Sequence, residues 1–123
     1  YNLTSDANVV RYNFDTTDFG EVVGAGNAGD FNGDGQDDIA VALRTGDMVD
    51  ILVIYGGAGL TGTINVNINW MNNNPGKFFH AELDLTGHLA NPSTDSVHID
   101  IAGAEDINGD SFDDIILGLP ENT

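Results

Sequence analysis

The chain has 123 residues, no cysteine and a formal charge of -17 at pH 7, because 20 Asp and Glu residues are set against only 3 Lys and Arg residues. This length suits one folded domain and excludes a second domain of full size. The scarcity of Lys and Arg argues against nucleic acid as a partner, since these side chains provide most of the affinity for phosphate backbones. Hydrophobic residues make up 41%, too many for a disordered acidic tail. No apolar run approaches the roughly 20 residues that span a bilayer, so we expect no membrane insertion and a folded chain that attracts cations.

Alternation of apolar and polar residues with a period of two predicts short β-strands along the chain. In chain order, this pattern covers residues 10–14, 39–44, 64–70, 79–85 and 97–101. Residues 51–55 are continuously apolar, which indicates a strand buried on both faces. Clusters of Gly, Asn and Pro separate the strands, and residues 72–76 are expected to form the longest exposed loop. No helix is expected, so the pattern predicts an all-β fold.

An acidic segment occurs twice. Residues 30–39 and 106–115 align without a gap at an offset of 76 (30 to 106), and both read D-x-N-G-D-x-x-D-D-I. The match continues outward at Ala28 with Ala104 and at Leu43 with Leu119. The repeating unit is therefore predicted to be a strand, an acidic loop and a second strand.

The spacing of the acidic residues predicts a calcium site in each loop. Ca2+ takes six to eight oxygen ligands, and a tight loop can direct side chains 1, 3 and 5 and the carbonyl of residue 7 towards one centre, with a carboxylate at position 9 completing the set. The candidate ligands of the first loop are Asp30, Asn32, Asp34, the carbonyl of Gln36, and Asp38. Those of the second loop are Asp106, Asn108, Asp110, the carbonyl of Phe112, and Asp114. We therefore expect two bound Ca2+ ions.

Two other interpretations of the loops are less favoured. An EF-hand would place a bidentate Glu at position 12, where this chain has Val41 and Leu117, and would need flanking helices. Asp, Asn and Gly also gather in turns for conformational reasons alone, but two gapless copies favour a ligand set. Asp37 and Asp113 are expected to point away from the ion, and Ser111, which replaces the glycine at position 35, is expected to strain or alter its turn.

Together these residues resemble the FG-GAP repeat, a calcium-binding propeller blade found in integrin α-subunit heads and in secreted bacterial proteins. The resemblance spans residues 19–70 and 97–120, and the two acidic loops are its most specific part. It also includes Phe19-Gly20 with Val23, Gly29-Asp30, residues 39–42 and 53–57, and Gly118-Leu119-Pro120.

The resemblance implies antiparallel, β-propeller-like blades, each a four-stranded sheet with its ion between the first and second strands. One complete blade would use residues 21–26, 39–43, 49–55 and 64–70, with 10–14 as the outer strand of a preceding blade and residues from 97 onwards beginning the next. The strand at residues 79–85 is not used in this assignment and is expected either to extend the blade or to pair with a neighbour. We expect a single β-repeat module over 1–123, with a first repeat at 19–70 and a second, partial repeat at 97–120. That amounts to one blade plus parts of two neighbours.

A propeller typically closes with about four to eight blades, so the chain is expected to belong to a longer one or to assemble with copies of itself into a ring or a filament. The expected function is that of an extracellular or cell-surface calcium-binding module with a structural or adhesive role and no catalysis. Its partners would be a protein surface, a glycan or further copies. Two alternatives stay open: a self-assembling subunit of a surface filament or sheath, and an accessory propeller fragment of a larger secreted hydrolase.

Other chemistry is weakly indicated. The three histidines are too widely spaced for a metal site, and His80 is expected to be a surface or cross-strand partner. Tyr55 and Trp70 are expected in the core rather than on a sugar. Asn2 begins an N-glycosylation sequon, Asn2-Leu3-Thr4, which would matter only in a secretory setting.

Overall fold

A computed structural model describes residues 10–57, 62–87 and 99–118. Its elements, in chain order, are β1 (Val10–Phe14), α1 (Thr16–Phe19), β2 (Glu21–Gly29), β3 (Asp38–Thr45), β4 (Met48–Ile54), β5 (Gly62–Val66), α2 (Ile68–Asn73), β6 (Phe78–Asp84), β7 (Asp100–Gly103) and β8 (Ile115–Gly118). The sequon at Asn2, the expected strand start at Val97, and Leu119 and Pro120 lie outside these ranges.

Strands dominate the described residues, which confirms the mostly-β prediction. The largest sheet has four antiparallel strands in the order β2-β3-β4-β6 and is called the main sheet below. A tight turn joins β3 to β4, with Thr45 opposite Met48. The β4 residues Ile51, Leu52, Val53 and Ile54 are at most 2% exposed, so the prediction of a strand buried on both faces is confirmed.

The expectation of no helix was wrong. Helix α1 follows Asp15, whose side chain accepts a hydrogen bond from the Thr17 amide at 2.9 Å, and α2 follows Asn67, whose side chain accepts from the Trp70 amide at 2.8 Å. Both are side-chain caps of a helix N-terminus. The expected strand at 64–70 therefore ends at Val66, and the expected exposed loop at 72–76 is shortened because α2 continues to Asn73.

The fourth strand of the main sheet was also assigned wrongly. Strand β6 takes that place, with Ala81 opposite Ile51 and Phe79 opposite Val53, so the segment without an assigned role completes the sheet. The segment expected there, β5, instead pairs in parallel with β1, with Val10 opposite Gly62. Strand β1 is thus a partner of β5, whereas the sequence placed it at the outer edge of another blade.

The main sheet buries both of its faces. One face carries Val41, Leu43, Leu52 and Ile54, and it packs against Phe19 of α1 and side chains of β1, β5 and α2, including Trp70. The other face packs against β7 and β8, which form a two-stranded antiparallel unit called the second hairpin below. Its buried residues include Ala40, Ala42, Val49, Ile51, Val53, Ile99 and Ile101, with Tyr55 packed against them. Tyr55 and Trp70 therefore contribute to the core, as expected.

Strand β2 and the chain entering the second hairpin lie unusually close together. The Ile99 amide donates to the Val23 carbonyl at 3.0 Å. A Cβ built at Gly24 would overlap the Ile99 carbonyl oxygen, and one at Gly26 would overlap that of Ile101. Glycine at these two positions therefore lets the backbones meet and seats the second hairpin against the main sheet.

Candidate metal-binding loops

The sequence repeat is also a structural repeat. Strand β2 pairs with β3 through Gly24↔Ala42 and Asn27↔Ile39, and β7 pairs with β8 through Asp100↔Gly118 and Gly103↔Ile115. Each pair is related to its counterpart by the offset of 76 that relates the sequences (24 to 100, 42 to 118). Both acidic loops, residues 30–38 (the first loop) and 106–114 (the second loop), therefore connect equivalent strands in the same register.

The backbone turns agree as well. Gly33 has φ 77° and its counterpart Gly109 has φ 78°. Gly35 has φ 88°, and Ser111, its counterpart, has φ 77°. Ser111 therefore keeps the left-handed turn. The replacement of glycine leads to strain and not to a different turn, because a Cβ is sterically unfavourable in that conformation.

In the first loop, the side chains at positions 1, 3 and 5 face inward. Asp30 Oδ1 accepts from the Asp34 amide at 2.9 Å, and Asp30 Oδ2 accepts from the Gly35 amide at 2.8 Å. Asn32 Oδ1 accepts from the Asp34 amide at 3.3 Å, and Asp34 Oδ1 accepts from the Gln36 amide at 2.8 Å. These bonds order the side chains within their own loop, but among the described residues the carboxylates of Asp30, Asp34 and Asp38 do not form a group within 4.8 Å of one another, as those of the second loop do.

The second loop repeats the same bonds. Asp106 accepts from the amides of Asp110 at 3.0 Å and Ser111 at 2.9 Å, and Asp110 accepts from the Phe112 amide at 2.9 Å. Asn108 Oδ1 accepts from the Asp110 amide at 3.1 Å. Carboxylate oxygens of Asp106, Asp110 and Asp114 all lie within 4.8 Å of one another. That cluster has the donor chemistry of a hard-cation site, since Ca2+ prefers several carboxylate oxygens around one centre.

The carboxylates at position 9 differ in burial. Asp38 is 1% exposed, and its oxygens accept from the amides of Phe31 at 2.8 Å, Asn32 at 3.3 Å and Gly56 at 2.8 Å. Asp114 is only partly buried and accepts from the Ile107 amide at 2.9 Å. Each position-9 carboxylate thus closes its own loop by binding the start of it, and Asp38 also ties the loop to the end of β4.

Burial raises the pKa of the Asp38 carboxyl above its ordinary value, and the nearby Asp34 charge adds to that rise. The three backbone amides act in the opposite direction. In the absence of a cation, the folded chain therefore disfavours the charged form of the Asp38 carboxyl more than the unfolded chain does. The 3 Lys and Arg side chains of the chain are far too few to neutralise its 20 acidic ones, and a bound divalent cation would supply that charge.

The two aspartates at position 8 have different surroundings. Asp37 is exposed. Asp113 is partly buried, and its Oδ2 accepts from the Asp30 amide of the first loop at 2.9 Å. The expectation that neither aspartate faces the centre of its own loop is compatible with this contact, which was not anticipated.

A second group of metal-ligating side chains was not anticipated. Asp50 and Glu82 face each other across β4 and β6, and His80 Nε2 lies 2.8 Å from Asp50 Oδ1. Ligand atoms of the three lie within 4.8 Å of one another. The contact agrees with the expectation of a cross-strand partner for His80. Only the register of β4 against β6 brings this group together, and alternation within one strand does not specify that register.

Comparisons with known proteins identify no relative: no family model, no curated protein and no solved structure matches the chain. Within the described ranges, neither helix is long and apolar enough to cross a membrane.

Proposed function

We propose that the chain is a calcium-binding β-repeat module with a structural or adhesive role and no catalysis, built from units that resemble FG-GAP blades. The observation that carries this proposal is the pair of acidic loops with matching inward hydrogen bonds. Two loops separated by 76 positions (30 to 106) share ligand types, strand register and left-handed turns. Turn formation alone requires fewer carboxylates than either loop contains.

The proposed role of calcium is to hold the loop and its strands in one arrangement. Each loop joins two neighbouring strands and carries several carboxylates, which repel one another unless a cation lies between them. Because Asp38 also accepts from the Gly56 amide at 2.8 Å, a cation in the first loop would stabilise both the β2–β3 connection and the end of β4. Binding free energy of this kind adds to folding stability.

A location outside the cell fits this proposal. Extracellular calcium modules work with dissociation constants of about 10⁻⁴ to 10⁻³ M, because calcium there is abundant. The carboxylates of the second loop are largely exposed, which suits a weak site more than a buried, high-affinity one.

The experiment is a thermal melt of the whole chain in 1 mM Ca2+, in 1 mM Mg2+ and in chelator. We expect Ca2+ to raise the melting temperature well above its value in chelator, and Mg2+ to have a smaller effect because it demands a stricter octahedral geometry. Asp34→Ala should reduce the calcium effect. The matched control is Asp37→Ala, which removes an exposed carboxylate of the same loop and should leave the effect intact.

A melt that is identical in Ca2+ and in chelator would contradict the calcium proposal. Equal losses in Asp34→Ala and Asp37→Ala would contradict the ligand assignment, because they would indicate a response to net charge alone.

A second candidate role, assembly with further units or copies, is favoured by the outer side of the second hairpin. Ile116 is 55% exposed and Ile107 is 67% exposed. Their counterparts in the first repeat are Ala40, which is fully buried, and Phe31, which packs against Phe79 with ring centroids 5.2 Å apart. Particle mass in calcium and in chelator tests this role: a monomer in both would exclude self-assembly of this chain.

A further inference from the structure

The second loop is hydrogen-bonded to the first through Asp113 and Asp30. The Asp30 amide donates to Asp113 Oδ2 at 2.9 Å, and the Asp113 amide donates to the Asp30 carbonyl at 3.1 Å. Asp113 therefore holds both backbone polar groups of Asp30, a residue 83 positions earlier in the chain. The contact links one acidic loop directly to the backbone of the other.

Two glycines make room for this contact, Gly29 at the end of β2 and Gly33 in the first loop. A Cβ at Gly29, where φ is +64°, would lie 2.7 Å from Asp113 Oδ2. A Cβ at Gly33, where φ is +77°, would lie 2.7 Å from the Phe112 ring. The first loop thus has a recess shaped to receive residues 112 and 113. The second loop has Glu105 in place of Gly29, so the same recess is not reproduced there.

We propose that Asp113 is a positioning residue that holds the first loop in its cation-binding geometry, an inference that rests on the proposed function. Asp30 is the position-1 ligand of the first loop, and its side-chain oxygens already accept from the Asp34 and Gly35 amides. Fixing the Asp30 backbone fixes the direction of that carboxylate. The first site therefore depends on the second repeat.

The dependence runs in one direction. Asp37 occupies the equivalent position of the first loop and is exposed. The second loop orders its own carboxylates through local bonds, such as those from Asp110 and Ser111 to Asp106 at 3.0 and 2.9 Å. Loss of the Asp113 side chain should accordingly weaken the first site and spare the second, whereas loss of the Asp37 side chain should affect neither.

The test uses the whole chain with Asp113→Ala, Asp113→Asn and the control Asp37→Ala. Amide hydrogen exchange of Asp30 is measured by NMR in chelator, and calcium binding to each loop is followed by the shifts of its backbone amides. For Asp113→Ala we expect Asp30 exchange to be about tenfold faster and first-loop affinity about tenfold weaker, in line with a buried hydrogen bond worth on the order of 1.4 kcal/mol. The second loop should change less than about twofold.

Asp113→Asn keeps a side-chain oxygen acceptor, so it should retain most of the protection of the Asp30 amide. Comparing Asp113→Asn with Asp113→Ala therefore distinguishes the effect of the hydrogen bond on Asp30 exchange from the effect of the negative charge. Exchange of Asp30 that is the same in Asp113→Ala and Asp37→Ala would overturn the proposal, as would equal weakening of both loops. The exchange measurement needs no calcium. If the unmodified chain binds no calcium but Asp113→Ala still exposes the Asp30 amide, the proposed function fails and the contact between the loops stands.

Discussion

The two acidic loops have nearly the same local structure in very different surroundings. Most of their hydrogen bonds correspond, such as the bond from Asp34 to Asp30 at 2.9 Å in the first and from Asp110 to Asp106 at 3.0 Å in the second. Yet Asp38 is 1% exposed, at the start of an inner strand of a four-stranded sheet, whereas Asp114 lies next to a two-stranded hairpin and is only partly buried. Loop geometry is therefore set by nearby sequence, and burial is set by what packs around it.

The largest expected effect concerns the contact that brings the two repeats together. Gly24→Ala places a Cβ against the Ile99 carbonyl, which forces β2 and the second hairpin apart. We expect a loss of roughly 3 kcal/mol in the free energy of unfolding, the upper end of overpacking costs. Chemical denaturation measures it. Gly57→Ala is the control, because a Cβ there meets nothing within 4 Å; equal losses in the two variants would contradict the close approach.

An exchange of equivalent residues tests the difference in burial. Ala40 is fully buried and its counterpart Ile116 is 55% exposed. Ala40→Ile should cost roughly 2 kcal/mol through overpacking, and Ile116→Ala should change stability by less than about 0.5 kcal/mol. Both are read from denaturant midpoints of the monomeric chain. A large loss for Ile116→Ala would show that the outer side of the second hairpin is covered in solution.

A third pair of variants tests the left-handed turn. Ser111 has φ 77°, at the position where the first loop has Gly35. Ser111→Gly removes the steric strain of a Cβ in that conformation, whereas the greater backbone entropy of glycine in the unfolded chain opposes part of the gain. We expect the free energy of unfolding to rise by about 0.5 kcal/mol. Gly35→Ser introduces a Cβ into the same left-handed conformation and should lower the free energy of unfolding by about 1 kcal/mol. Thermal melts of the two variants and the unmodified chain in one buffer measure these changes. A lower melting temperature for Ser111→Gly than for the unmodified chain would contradict a strained turn at Ser111.

The smallest expected effect is a pH dependence caused by Asp38. Its pKa is raised by burial in the metal-free fold, so the folded state holds the proton more tightly than the unfolded state does. Stability from this group is therefore present at low pH and is lost as pH rises from the unfolded value through the raised one. In chelator, the melting temperature of the unmodified chain relative to Asp38→Asn should fall as the pH rises above about 4, the ordinary value for Asp. A constant difference would contradict this account.

Local patterns were predictable from the sequence, and long-range pairings were not. Within each acidic loop the side-chain to backbone bonds span at most 7 residues, as from Phe31 to Asp38, so the turns of the loops could be predicted, whereas their role as ligands stays a prediction. Apolar continuity likewise identified β4. Residues 64–70 were assigned wrongly to one strand because Ile68 and Trp70 continue the alternation of apolar and polar residues. Asn67, a good N-cap residue, was the sign that a helix begins there.

The order of the strands in the sheets cannot be predicted from the residue pattern of any single strand. Pairing of β6 with β4 and of β5 with β1 is decided by which apolar faces meet in the folded chain. The contact between Asp113 and Asp30 depends in turn on how β7 packs against β2. Its only local sign was the glycine at position 29, which also suits an ordinary turn.

The most direct test of the central claim is a count of bound calcium ions by native mass spectrometry, at free Ca2+ near the roughly 1 mM range of extracellular sites. We predict two ions per chain for the unmodified protein, and one each for Asp34→Ala and Asp110→Ala, with Asp37→Ala still binding two. A chain that binds no calcium, or that loses neither ion when these carboxylates are removed, would contradict the assignment of the two loops as calcium sites.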